Sequence, residues 1–216
     1  MDYGKIVSES FEYAKEGLVG KWTKWVLLLV ATILLGLPLL GYELKILRGE
    51  KPSPEVSDWG TLFVDGIKYA IIEIIYAIPV IIVAIIAIAP VVMAVLSGDP
   101  SAMLAGIGAT LAGFVILLIV AVIVCLFEFI GVIRFARTGS MGEAFNFGAI
   151  LTTIGKIGWG SYILAVIIVL VMIGIVSGIL SAIPVIGSVL VFLLIPFIAL
   201  FQARYFCQLY DSAGTA

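Results

Sequence analysis

Four long apolar stretches constrain this chain more than any other feature of its sequence. They occupy residues 71–96, 103–129, 161–180 and 188–206. A helix needs about 20 apolar residues to cross the hydrocarbon of a bilayer, and all four meet that length. Soluble domains are about half apolar, whereas this chain is 63% hydrophobic and only 12% charged. The sequence therefore predicts an all-α, polytopic transmembrane helical bundle that forms a single integral membrane domain, residues 1–216, with the lipid bilayer as its solvent.

Between these stretches lie segments in which apolar residues alternate with charged ones. Residues 5–19 carry Val7, Phe11, Ala14 and Leu18 at helical spacing, which predicts an amphipathic helix in the membrane interface. Residues 59–70 and 143–156 have a similar composition and also precede apolar stretches. We therefore hypothesise three related units, each a surface helix followed by an apolar hairpin, at roughly residues 1–48, 57–137 and 141–210.

The apolar segment at residues 25–47 has more than one interpretation. It is long enough for one crossing but short for two, and a re-entrant hairpin that turns at Leu37–Leu39 is an alternative. All 12 Lys and Arg lie in residues 1–24, 45–68 and 134–156 or at Arg204, whereas the turns near Asp99 and Pro184 have none. Since basic flanks stay in the cytoplasm, the charges predict a multi-pass cell-membrane protein with both termini cytoplasmic. Both termini lie on the same side only if the number of crossings is even. The four long stretches already supply an even number, which favours the hairpin for residues 25–47.

Several functional classes find no support in the sequence. The net charge of −2 offers no basic stripe for a nucleic-acid partner. The chain has no histidine, which is the commonest metal ligand and general base, and it contains no recognisable catalytic motif. We therefore expect no enzymatic activity, no catalytic residue, no bound metal and no cofactor.

Three acidic residues in or beside the apolar stretches are candidate intramembrane functional groups. Glu73 and Glu128 fall at a similar depth on antiparallel neighbouring spans, and Glu43 lies at a comparable position. An ionisable group within a span costs a few kcal/mol, so such a residue is a candidate functional site. The alternative is a structural role, in which the acids pair with Lys68 or Arg134 at the interface.

Two rows of small residues predict close helix contacts. One comprises Ala105, Ala109 and Gly113, and the other Gly174, Gly178 and Ala182. Small residues spaced four apart let helices approach closely in membranes. These faces suit a homo-oligomer or a membrane partner protein, and they suit packing within one chain equally well.

Three sequence strings carry a family resemblance. They are Gly41-Tyr42, Asp58-Trp59-x-x-Leu62-Phe63-x-Asp65-Gly66-x-Lys68, and Arg134-Phe135-Ala136-x-Thr138-Gly139-Ser140. Together they resemble a largely archaeal membrane family that is known as domain of unknown function 4013. The resemblance implies a polytopic protein of a prokaryotic cell membrane, and it implies no activity or site residues.

Two functions follow as expectations. The first is a non-enzymatic membrane scaffold or accessory module, because the spans offer few polar groups to line a path. The alternative is a small channel or transporter for ions or small solutes that uses Glu73 and Glu128. Proline-interrupted spans and a weak internal repeat are also found in transport folds.

Overall fold

The computed structural model describes residues 1–184 and 186–214, and the regular structure within them is entirely helical. Four of the helices, α4, α5, α7 and α8, are long and apolar enough to cross a membrane. These features confirm the all-α fold class and indicate a multi-pass membrane protein. A short 3-10 helix (Met141–Phe145) precedes α6, and the eight α-helices are α1 (Tyr3–Leu18), α2 (Trp22–Ile33), α3 (Leu37–Leu47), α4 (Trp59–Ser97), α5 (Pro100–Thr138), α6 (Phe147–Ile157), α7 (Trp159–Ser181) and α8 (Ile186–Asp211).

The apolar segment at residues 25–47 forms two short helices that pack against each other. Leu35 and Gly36 adopt positive φ angles of 59° and 72° and turn the chain between α2 and α3. With 12 residues, α2 spans about 18 Å, well short of the roughly 30 Å of bilayer hydrocarbon. The turn therefore lies just before the predicted Leu37–Leu39, and Pro38 instead occupies the first turn of α3, where proline is tolerated.

The predicted surface segment at residues 59–70 is not a separate helix. It runs without a break into the following span, so that α4 contains 39 residues and is about 58 Å long. Pro79 and Pro90 lie inside α4, in keeping with the tolerance of membrane helices for proline. By contrast, α6 is separate from α7 because Gly158 adopts a φ of 91° between them.

One of two compact units comprises Ile72–Glu128, the C-terminal part of α4 and the N-terminal part of α5. A Cβ on Gly106 would lie 2.8 Å from both the Ala94 Cβ and the Pro90 carbonyl oxygen, and one on Gly113 would lie 2.8 Å from the Ala87 Cα. Gly113 belongs to the predicted small-residue face, but Ala105 and Ala109 are exposed. The contact face therefore contains Gly106 in place of its neighbour Ala105.

The other compact unit comprises Met1–Ile71 and the described residues from Phe129 onward. Within it, α8 is the central helix, and α1, α2, α3, α6 and α7 all pack against it. The helix α1 buries Ile6, Ser10, Tyr13 and Gly17, whereas Phe11 of the predicted apolar face is 47% exposed. The location of α1 in the membrane interface and the threefold repeat stay predictions.

Two glycines permit the close approach of α3 and α4. A Cβ on Gly41 would collide with the carbonyl oxygen of Leu62, and one on Gly66 would collide with the carbonyl oxygen of Leu37. Because both obstacles are backbone atoms, they cannot move aside as a flexible side chain would. The two helices therefore lie close together only while both positions lack a side chain.

We expect Gly66→Ala to destabilise the protein by about 1–3 kcal/mol, the usual cost of overpacking a close contact. Unfolding in detergent micelles, followed by circular dichroism, measures the change. Gly155→Ala is the matched control, since a Cβ there meets nothing within 4 Å. It should be neutral or slightly stabilising, because alanine is favoured over glycine in a helix by about 0.5–1 kcal/mol. Equal stability of the two variants would contradict the contact.

Candidate functional site

Two of the three predicted acids lie together. Glu73 on α4 and Glu128 on α5 are both half-buried within the unit Ile72–Glu128. Glu128 lies close enough to Glu73 for the two carboxylates to interact, and it is also within electrostatic range of Tyr76. Glu43 is half-buried on α3, in the other compact unit. A common site for all three acids stays a prediction.

The predicted basic partners of these acids form ion pairs with other carboxylates. Lys68 Nζ lies 3.6 Å from Asp65 Oδ1. Arg134 pairs with Glu143, and Asn146 Nδ2 donates to Glu143 Oε1 at 3.1 Å. The hydrogen bond from Asn146 and the pairing with Arg134 hold the pKa of Glu143 below its usual range. Pairing of Lys68 or Arg134 with Glu73 or Glu128 stays a prediction.

A cluster of polar groups that the sequence analysis did not identify lies at the C-terminal end of α8. Arg137, near the end of α5, donates from Nε to the Leu47 carbonyl oxygen at 2.7 Å and from Nη2 to Asp211 Oδ1 at 2.6 Å. From the same turn of α8, Gln208 Nε2 donates to Ser10 Oγ of α1 at 2.8 Å. These bonds connect the end of α8 to α1, α3 and α5.

A second polar cluster surrounds Ser53, in the connection between α3 and α4. Lys24 Nζ donates to the carbonyl oxygen of Ser53 at 3.1 Å and to its Oγ at 2.8 Å. Tyr42 donates its only proton to the Pro54 carbonyl oxygen at 2.7 Å, so Ser53 Oγ donates to the Tyr42 hydroxyl at 2.9 Å. Burial lowers the pKa of Lys24 to about 8, although the carboxylate of Glu55 opposes the shift.

Arg204 on α8 is the most deeply buried arginine. Only 4% of it is exposed, and its guanidinium Cζ lies 5.4 Å from the centre of the Tyr13 ring. Its Nη1 lies 3.7 Å from the Cys207 sulfur. No carboxylate of the described residues forms an ion pair with Arg204. This guanidinium lines a surface cavity of about 380 Å³ beside the start of α1.

These arrangements provide hydrogen bonds and ion pairs at the ends of helices. Among the residues that the structure describes, no three or more His, Cys, Asp or Glu side chains are placed to hold a metal ion. A periodicity in the sequence does mark the cluster on α8. Arg204, Cys207, Gln208 and Asp211 recur at helical spacing and follow an apolar stretch, which is the pattern of a helix that continues beyond the membrane with one polar face.

Comparison with known proteins yields a family. No curated protein and no solved structure matches the chain. The sequence profile of one family matches residues 25–186, more than half of the 216 residues, and so covers α3 to α7 and most of α2. The chain therefore belongs to the family described as "Protein of unknown function (DUF4013)".

Proposed function

We propose that this protein is a non-enzymatic membrane scaffold or accessory module that associates with a second copy of itself. The observation that carries the proposal is the apolar character of the groove between α7 and α8. A route for ions or polar solutes needs polar groups along it, as in channels and transporters. The side chains that line this groove are Phe11, Met172, Ile173, Val176, Leu194, Phe197, Ile198 and Phe201.

The polar side chains of the larger compact unit, which comprises Met1–Ile71 and the described residues from Phe129 onward, support the same function. Arg48, Arg134 and Arg137 form ion pairs with Asp65, Glu143 and Asp211, each on another helical segment, and Lys24 is held by Ser53. Such contacts fix the ends of helices relative to one another. They suit a rigid module better than one that must open and close, because a moving part has few buried contacts.

The open small-residue face of α7 supports a second copy as the partner. A Cβ on Gly174 or on Gly178 would meet nothing within 4 Å, and both positions are exposed on a membrane-spanning helix. In lipid, helices associate through close packing of small residues rather than through the hydrophobic effect. Two copies of α7 could therefore approach closely along this face.

Replacing both glycines should weaken self-association. We expect Gly174→Leu combined with Gly178→Leu to raise the dimer dissociation constant about tenfold, a loss of about 1.4 kcal/mol, because the leucine side chains prevent the close approach of the two helices. Energy transfer between labelled copies in lipid vesicles measures the constant. Gly160→Leu on the same helix is the control, since a Cβ there also meets nothing within 4 Å. A wild-type protein that stays monomeric at all concentrations would contradict the proposal.

We further propose that both termini lie in the cytoplasm. Four membrane-spanning helices return the chain to the side on which it began, and α2 is too short to add a crossing. All basic residues lie on one side of this arrangement, whereas the connections at Asp99 and Pro184 carry none. This distribution supports a cytoplasmic location for the basic side.

Labelling of single cysteines tests this orientation. In a background in which Cys125 and Cys207 are replaced by alanine, Asp99→Cys should react with a membrane-impermeant maleimide added to intact cells. Ser140→Cys should react only after the cells are permeabilised, because Ser140 lies beside Arg137 on the basic side. Both native residues are exposed, so that access depends on the membrane alone. The reverse labelling pattern would show that the orientation is inverted.

The alternative function, a small channel or transporter, is favoured by the proximity of Glu73 and Glu128. An acid pair at membrane depth is a common element of cation and proton pathways. Proteoliposomes with an internal pH dye separate the two functions. The scaffold predicts that proton flux equals that of protein-free vesicles, for the wild type and for Glu73→Gln with Glu128→Gln alike. Flux in the wild type that the double variant abolishes would support the transporter.

A further inference from the structure

Arg204 differs from the other three arginines of the chain. Arg48, Arg134 and Arg137 pair with Asp65, Glu143 and Asp211 respectively, and each of them is only half-buried. Arg204 is only 4% exposed and has no ion pair with a described carboxylate. Burial of an unpaired charge is costly, so the most buried guanidinium is the one that most needs an anion.

The contacts of Arg204 leave much of its hydrogen-bonding capacity unused. A guanidinium carries five N–H donors in a fixed plane. The guanidinium lies over the Tyr13 ring, with Cζ 5.4 Å from its centre, and the Cys207 sulfur, 3.7 Å from Nη1, is a weak acceptor. These two neighbours orient the side chain without replacing an oxyanion. The remaining N–H donors, on Nε and Nη2, have no hydrogen-bond partner among the described residues and are available to a ligand.

Arg204 lines two adjoining cavities that open to the surface. One has a volume of about 380 Å³, and the other, of about 290 Å³, shares Glu9, Lys51 and Arg204 with it. Lys51 is exposed and forms no ion pair with a described residue. Its flexible side chain lies at the rim, where it offers a second positive charge.

Acidic side chains also line these cavities, but most of them already have partners. Glu9 pairs with Lys5 at 3.8 Å, Glu12 with Lys15 at 3.3 Å, and Asp211 with Arg137 at 2.6 Å. The carboxylate of Asp2 caps α1 by accepting a hydrogen bond from the Lys5 backbone at 3.0 Å. Glu16 is exposed, so solvent screens its charge, as it screens that of Lys51. The buried positive charge of Arg204 is the one that lacks compensation.

We propose that the cavity at Arg204 binds a phosphate group, which the guanidinium holds through its N–H edge while Lys51 provides a second charge at the rim. Planar guanidinium donors match the geometry of phosphate oxygens and bind them through two parallel hydrogen bonds. The group has two sources. It belongs to a lipid headgroup, which is the abundant phosphate beside a membrane-spanning helix, or it is free in solution. This site is independent of the proposed self-association.

Calorimetric titration of the full chain in dodecyl maltoside micelles tests the site. The probes are dioctanoyl phosphatidylglycerol, dioctanoylglycerol, which has the same acyl chains without the phosphate, and inorganic phosphate. We expect the phospholipid to bind one-to-one and the glyceride not to bind. Arg204→Gln should weaken binding by about tenfold to a hundredfold, since hydrogen bonds to charged groups contribute that much. Lys51→Gln should weaken it several-fold, and Lys156→Gln, an exposed lysine of α6 outside the cavity, should not change it.

The three probes distinguish the two sources. Binding of the phospholipid alone identifies a lipid headgroup site, and binding of inorganic phosphate as well identifies a site for soluble phosphate; either result supports the proposal. If Arg204→Gln does not fold, Lys51→Gln decides, because its side chain is exposed. Equal binding of phospholipid and glyceride without any binding of inorganic phosphate overturns the proposal. It is also overturned if Lys51→Gln and every folded Arg204 variant bind as the wild type does.

Discussion

Arg137 connects the C-terminal ends of three helices through two short hydrogen bonds. It lies on α5 and donates both to the Asp211 carboxylate of α8 and to the Leu47 carbonyl oxygen at the end of α3. That carbonyl is among the last four of its helix, which have no intrahelical donor, so the arginine satisfies a group that would otherwise be unpaired. The same end of α8 is bonded to α1 through Gln208 and Ser10. The arrangement of the larger unit depends on these contacts.

The helices depend on polar contacts for their arrangement because the solvent around the spans is lipid. Only 11% of the most apolar 18-residue stretch of α4 is buried within the protein, and only 17% of the corresponding stretch of α7. In lipid an exposed isoleucine costs nothing, so apolar residues in the spans do not drive helices together. Specific association must then come from close backbone approach, as at Gly41 and Gly66, or from hydrogen bonds at the helix ends. Both kinds of contact occur in this protein.

The length of the apolar stretches predicted the membrane-spanning helices, because about 20 apolar residues in any order are enough for a helix to cross the hydrocarbon of a bilayer. The helix boundaries were less predictable. The stretch 188–206 continues as α8 to Asp211, and residues Ala199–Tyr210 are almost entirely buried. Arg204 lies near the end of the predicted stretch, and its helical spacing from Cys207, Gln208 and Asp211 fits a helix that continues beyond residue 206. On α5 the predicted contact face contained Ala105, whereas the structure buries its neighbour Gly106. Both residues are small, so composition does not distinguish them.

The sequence by itself determined the fold class, the four spans and the concentration of basic residues in a few segments, because these properties depend on composition and length along the chain. It also identified Glu73 and Glu128 as neighbours, since antiparallel spans bring equal depths together. Only the tertiary structure decided which arginines form ion pairs with carboxylates. Arg134, Arg137 and Arg204 look alike in the sequence, but the first two form ion pairs with Glu143 and Asp211, and no described carboxylate lies within ion-pair distance of the third. Ion pairing depends on distances of a few ångströms between helices that are remote in the chain, and no local pattern encodes those distances.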